Sequence, residues 1–139
     1  MLRLLTRIIL TALAVSPALA DFHLMTRLVR PGTTNIVAVP SNSINCGAIK
    51  GSNSLLFENG ANYPYTSNFF KTNGQVCGVA MNFYRMTDQG ASYSIFQDGG
   101  GLVGYCYPAD RKDFFCDKSP LGLRKATDDY WCYTYVCGR

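Results

Sequence analysis

Six cysteines, Cys46, Cys77, Cys106, Cys116, Cys132 and Cys137, constrain this 139-residue chain more than any other feature. Their number is even, and all of them follow a start that reads as an export signal, so the thiols meet an oxidising compartment and are expected to form three disulfides. Fifteen pairings are open on spacing alone. Cys132 and Cys137 are an odd number of positions apart. On a regular strand they point to opposite faces and take different partners. Structural zinc is not expected, because it needs close C-x2-C or Cys/His pairs and the single histidine, His23, is far from every cysteine. No cofactor and no metal site is read from the sequence.

The export reading rests on residues 1–20. Arg3 and Arg7 form a charged start, Ile8 to Val15 an apolar core, and Ala18-Leu19-Ala20 a small-x-small cleavage site before Asp21. That core is too short for a stable membrane anchor, and no later stretch has eighteen uninterrupted apolar residues. The mature chain, residues 21–139, is therefore expected to be one secreted, extracellular domain with no membrane partner, a monomer, with later entry into host cells left open. Without Arg3 and Arg7 the net charge falls from +4 to +2, weak for a dedicated polyanion binder. No Asn-x-Ser/Thr sequon occurs.

Local patterns predict a β-rich α+β fold: a small antiparallel sheet with one short helix, stapled by disulfides. Phe22 to Val29 and Asn35 to Val39 read as an N-terminal hairpin about Pro31-Gly32. Ser52 to Gly60 is the helix candidate, about two turns long. Asn73-Gly74 is a turn signal, and Val76 to Met86 is the expected central strand, buried on both faces. Tyr93 to Phe96, the turn 97–101 and Leu102 to Tyr107 form a second hairpin. Residues 117–129 are expected to be a polar loop before a closing strand from Tyr130.

Catalytic chemistry is sparse. Nucleophilic catalysis needs a base beside a serine or cysteine, and His23, near the start of the mature chain, is expected to be structural or superficial. Glu58 is the only glutamate, and the aspartates fall in turn-like segments, where turn formation already accounts for them. The aromatic content is high: nine Tyr, eight Phe and one Trp. Most Phe rings are expected in the core. Tyr63, Tyr65, Tyr93 and Tyr107 lie beside turns or on the hairpin strands and are the candidates for a binding surface.

Cys46, the segment Tyr63-Pro64-x-x-x-Asn68, the run Ile95-Phe96-Gln97-Asp98 through Leu102-Val103-Gly104, and Phe114-Phe115-Cys116 together resemble the microbial guanyl-specific ribonucleases, and especially the ribonuclease-like secreted effectors of plant-pathogenic fungi. The resemblance covers roughly residues 46–116. It implies a sheet with one packed helix, a Cys46–Cys116 disulfide, and a site that includes Tyr63 and Phe114. The family's catalytic histidines fall at Tyr65 and at Tyr107-Pro108, its arginine at Tyr93, and Val76 to Met86 has no glutamate base. Transphosphorylation needs an acid and a base. The expectation is a non-catalytic effector or virulence-type protein that binds a host protein or RNA. An active secreted ribonuclease and a cysteine-rich toxin or antimicrobial protein are the alternatives.

Overall fold

The computed structural model describes residues 22–29, 32–53, 55, 68–87, 92–116 and 123–137, apart from the side chains at 33, 73, 75, 123 and 124. The predicted export signal 1–20, Tyr63, Tyr65 and most of the predicted helix Ser52 to Gly60 lie outside the described residues.

The fold is an antiparallel sheet built from β1 (Phe22–Val29), β2 (Thr33–Pro40), β3 (Phe69–Val76), β4 (Val79–Arg85), β5 (Tyr93–Gln97), β6 (Leu102–Pro108), β7 (Asp113–Phe115) and β8 (Leu123–Thr134). Its order is β2-β1-β8-β6-β5-β4-β3, with β7 also paired to β8. Phe22, Leu24 and Ile36 from one end of this order share a core with Phe70, Val76, Met81 and Phe83 from the other. Strands so far apart in a flat sheet could not touch, so the sheet curls until its two ends close over one apolar interior. Tyr93, Ile95, Cys106, Tyr130 and Cys132 complete that interior.

The predicted hairpins 22–39 and 93–107 are present, with Phe22 opposite Pro40 and Tyr93 opposite Cys106. Three local expectations are corrected. The helix is α1 (Cys46–Gly51), where turn was expected, and its N-terminus is capped by Asn45, whose side chain accepts from the Ala48 amide at 3.0 Å. Ser52 is already extended (φ −70°, ψ 139°), so the described part of the predicted segment does not begin a helix.

The second correction concerns Asn73-Gly74, which lies inside β3. The chain reverses at Cys77-Gly78, with φ of 53° and 70°, the pair of positive values that a two-residue hairpin turn needs. Gly74, at φ 79°, sits where the β3–β4 register shifts and acts as a bulge. β4 therefore starts only at Val79 and alternates between buried and accessible positions, where burial on both faces was expected.

The third correction is β8. It starts at Leu123, within the predicted loop, and pairs with β1 from Leu123 to Cys132, with β7 at 125–127 and with β6 at 130–134. Its polar residues are tolerated because neighbouring strands pair them. Lys125 meets Asp113 at 2.9 Å, Thr127 donates to Asp113 at 2.7 Å, and Asp129 accepts from the amide and hydroxyl of Thr26 at 2.9 and 2.6 Å.

Three disulfides close the fold: Cys46–Cys116, Cys77–Cys137 and Cys106–Cys132. Cys132 and Cys137 have different partners, but not by strand alternation: β8 ends at Thr134, Cys137 lies beyond it, and both cysteines pack on the same core. Cys106 and Cys132 are directly opposed on β6 and β8.

A second, smaller cluster lies on the outer side of the sheet. Met25, Val37, Val39 and Ala126 pack there against Ile49 of α1, and alternation puts them opposite Leu24 and Ile36. Arg27 reaches from β1 to the end of α1, its Nη1 donating to the carbonyls of Ile49, Lys50 and Ser52 at 2.9, 3.2 and 3.0 Å. A buried cation thereby satisfies carbonyls that the helix end cannot pair internally.

Candidate functional site

The outer side of the sheet divides into two parts. α1 covers the part over β1, β2 and the start of β8. Beyond it, the outward positions of β8, β6, β5, β4 and β3 are mostly rings.

The rings follow from alternation and register. Tyr130 and Cys132 point into the core, so Trp131 and Tyr133 point outward. Cys106 points inward, so Tyr105 and Tyr107 point outward. Tyr107 is directly opposite Trp131, and Tyr105 opposite Tyr133. The Tyr107 and Trp131 rings lie 4.8 Å apart at 27°, and the Tyr107 and Tyr133 rings 6.1 Å apart at 12°. Across β5 the same face continues with Ser94, opposite both Tyr105 and Tyr84. Tyr84 then contacts Phe96 edge-on at 5.6 Å and Phe69 at 4.9 Å. The small Ser94 leaves a trough between two groups of rings, which stand two strands apart, roughly 10 Å.

At the β4–β5 end the trough opens into a shallow groove of about 450 Å³ lined by Asn82, Tyr84, Phe96, Gln97, Gly99 and Gly100. Its rim is the β5–β6 turn, where Gly99 has φ 69°, so the backbone there carries no bulky side chain. Asn82 donates to Asp98 at 3.2 Å, and Lys71 meets Asp98 at 3.3 Å. These two contacts hold the Asp98 carboxyl below its usual range, the Asn82 hydrogen bond most of all. The Asn82 Oδ1 is shielded from solvent and has no hydrogen-bond partner.

Three phenols, Tyr93, Tyr130 and Tyr133, are raised above their ordinary value, each chiefly by burial. Burial, reinforced by a hydrogen bond to Tyr107, pushes Tyr133 up to about 12. Burial also pushes Tyr93 up to about 12, with the neighbouring Tyr130 second in effect.

Of the residues expected to form a binding surface, Tyr107 is on this face. Tyr93 is corrected: it is fully buried, its ring wedged between Phe70 at 5.2 Å and Tyr130 at 5.5 Å, because alternation from Cys106 across the ladder turns it inward. Phe114 packs beside α1 with Cys116 and takes Lys112 over its ring at 5.5 Å, away from the ring face. Tyr63 and Tyr65 lie outside the described residues. Sequence reasoning missed Tyr84, Phe96, Tyr105, Trp131 and Tyr133. The alternating Tyr105-x-Tyr107 and Trp131-x-Tyr133 were the available signal.

His23 lies within β1, paired with Val39 on one side and Trp131 on the other. Its Nδ1 meets both carboxylate oxygens of Asp128 at 2.9 Å. The contact brings together a histidine and a carboxylate 105 positions apart in sequence. The pair sits at the border between α1 and the rings, its side chains only 17% and 12% accessible. Among the described residues, no group of three or more His, Cys, Asp or Glu side chains could hold a metal ion.

The chain was compared with family models, with curated proteins and with solved structures, and nothing matches.

Proposed function

We propose that this is a secreted effector-type protein that acts by binding and not by catalysis, and that it engages its partner through the ring-bearing outer face of the sheet. The observation that carries this reading is the convergence of Tyr84, Phe96, Tyr105, Tyr107, Trp131 and Tyr133 on one face of a sheet stapled by disulfides. Large rings immobilised by their neighbours offer contact area at little entropic cost, which is why Tyr and Trp dominate binding hot spots. The rigid strands beneath hold them in place before any partner arrives.

A ribonuclease-like scaffold remains part of the proposal, carried by the sequence resemblance alone. The charge of the face argues against RNA as the partner. Its one described cation, Lys71, is paired with Asp98, whereas RNA binding draws heavily on phosphate neutralisation by free cations. The active-ribonuclease reading has one specific observation in its favour, the His23–Asp128 pair. That pair is oriented like a base and its carboxylate support, but it borders the hydrophobic cluster under α1.

In-gel RNA digestion by the folded, fully oxidised protein decides between the two. No clearing is expected. Clearing that disappears in His23→Ala would overturn the non-catalytic reading.

A further inference from the structure

We propose that the groove between Tyr84, Phe96 and the 97–101 turn binds an uncharged polysaccharide, with pyranose rings laid against the aromatic side chains. This rests on the binding reading above and names its ligand class.

Three observations point to this chemistry. The first is charge. The groove and the adjoining ring face present Tyr, Phe, Trp, Ser, Asn and Gln, and the charged groups at the groove, Lys71 and Asp98, cancel one another at 3.3 Å. Among the described residues a polyanion finds no unpaired cation there, and Lys71 is already engaged by the Asp98 carboxylate, 46% accessible on its side chain, so an acidic glycan or nucleic acid gains no attraction at the groove. A neutral ligand has no charge to desolvate and meets no such penalty.

The second is the mixture of surfaces. A pyranose ring has C–H faces, which pack on aromatic carbon, and a rim of hydroxyls, which need both donors and acceptors. Tyr84, 44% exposed, and the half-buried Phe96 supply the aromatic carbon, while the amides of Asn82 and Gln97 at the same groove both donate and accept. Ligand sites combine an apolar lining with a few placed polar groups in this way.

The third is the unsatisfied Asn82 Oδ1. A solvent-shielded acceptor with no donor is costly. A turn about the last side-chain torsion, which is broad for asparagine, presents this oxygen to a ligand hydroxyl and gives up the Nδ2 hydrogen bond to Asp98 in exchange. Beyond the groove, the trough over Ser94 separates these rings from Tyr105, Tyr107 and Trp131, so a polymer can reach two groups of rings where a single sugar would occupy only one.

The test is retention of the full, oxidised protein on insoluble chitin, cellulose and β-1,3-glucan, with soluble polygalacturonate and poly(U) measured in parallel by affinity electrophoresis. At least one neutral polymer is expected to retain the protein, and Tyr84→Ala or Phe96→Ala to weaken retention by about tenfold or more. Phe115→Ala, which removes a ring 78% exposed on β7, is expected to change nothing. Should the ring variants fail to fold, Asn82→Ala at the groove wall is expected to weaken retention and Asn82→Gln to restore part of it. Retention by none of the neutral polymers, retention indifferent to the groove variants, or preference for polygalacturonate or poly(U) would overturn the assignment. Such results leave the non-catalytic reading standing, whereas RNA cleavage abolished by His23→Ala overturns that reading whichever polymer is retained.

Discussion

Trp131 and Tyr107 face one another across the β6–β8 ladder, with ring centroids 4.8 Å apart and planes 27° from parallel. The pair joins residues from the second hairpin and the closing strand, and it anchors the ring face on which the binding proposal depends. Because the chain has a single tryptophan, its fluorescence reports on the surroundings of Trp131, which Tyr107 and Tyr133 share.

Tyr107→Ala is expected to shift Trp131 emission to the red, as water replaces the stacked ring, while near-UV circular dichroism keeps its folded form. A directly opposed aromatic pair is worth about 0.5–1.5 kcal/mol beyond its buried area, so the loss of stability stays modest. An unchanged emission maximum would show that the two rings are not in contact in solution.

Tyr93→Ala contrasts with this. Its ring is fully enclosed between Phe70 and Tyr130, and emptying that site is expected to cost about 3–5 kcal/mol. Urea unfolding of the two alanine variants in parallel measures the difference.

Alkaline unfolding follows from the same buried phenol. Tyr93 is pushed from 10.0 to about 12 in the folded protein, so between those values the unfolded chain has lost a proton that the folded one retains. With fewer protons bound in the unfolded state, stability falls as pH rises. The stability conferred by neutral Tyr93 is thus complete below pH 10 and declines towards pH 12; Tyr133, also pushed to about 12, adds in the same direction. Chemical denaturation at pH 9, 10, 11 and 12 should show this decline, and Tyr93→Phe should flatten part of it.

Arg27→Met keeps the length of the side chain but removes the donor that serves the carbonyls of Ile49, Lys50 and Ser52. Leaving such acceptors unpaired is expected to cost about 1–3 kcal/mol and to loosen α1 selectively. Hydrogen exchange should reveal faster exchange at Ile49 and Ser52, whose amides bond to Asn45 and Ala48 carbonyls, with little change in β5 or β6.

Gly104→Ala probes the β6–β8 contact. A methyl at Gly104 would overlap the Tyr133 carbonyl and stand 2.9 Å from the Thr134 Cα. Both obstacles are backbone, so the strands must separate. A marked drop in thermal stability is expected, and wild-type melting of this variant would show that the two strands do not run so close.

Reduction completes the set. The bridges Cys46–Cys116, Cys77–Cys137 and Cys106–Cys132 join residues 70, 60 and 26 apart. Removing a native disulfide from a small exported domain typically costs about 2–5 kcal/mol. Cys46→Ser or full reduction is therefore expected to unfold the domain, measured by thermal melts with thiol titration confirming that the bonds are open.

Much of the local structure was legible in the sequence. Phe22 to Val29 and Tyr93 to Tyr107 carry β-forming residues around glycine turns, and backbone preference settles such elements within a few residues of chain. The different partners of Cys132 and Cys137 were expected on the wrong ground, since β8 ends at Thr134 and Cys137 lies beyond the strand whose period would set its facing. The turn at Cys77-Gly78 was harder to see. Its first residue is a non-glycine in a left-handed conformation, which is costly by itself, and the bridge from Cys77 to Cys137 ties it in place.

The candidate site belongs almost wholly to tertiary structure. Tyr84, Phe96, Tyr107 and Trp131 are dispersed over about a third of the chain, and which side each ring takes depends on strand register. A one-residue slip reverses every facing. β8 shows the reason best: its own residues, Thr127, Asp128 and Asp129, read as loop, and it became a strand because Asp113, His23 and Thr26 on other strands supply the partners its side chains need. Sequence alone determined that this chain forms short strands, tight turns and oxidised cysteine pairs, since those are decided locally or by composition. Which ring is core and which is surface was decided only when distant strands paired, because burial is a property of neighbours that no local stretch contains.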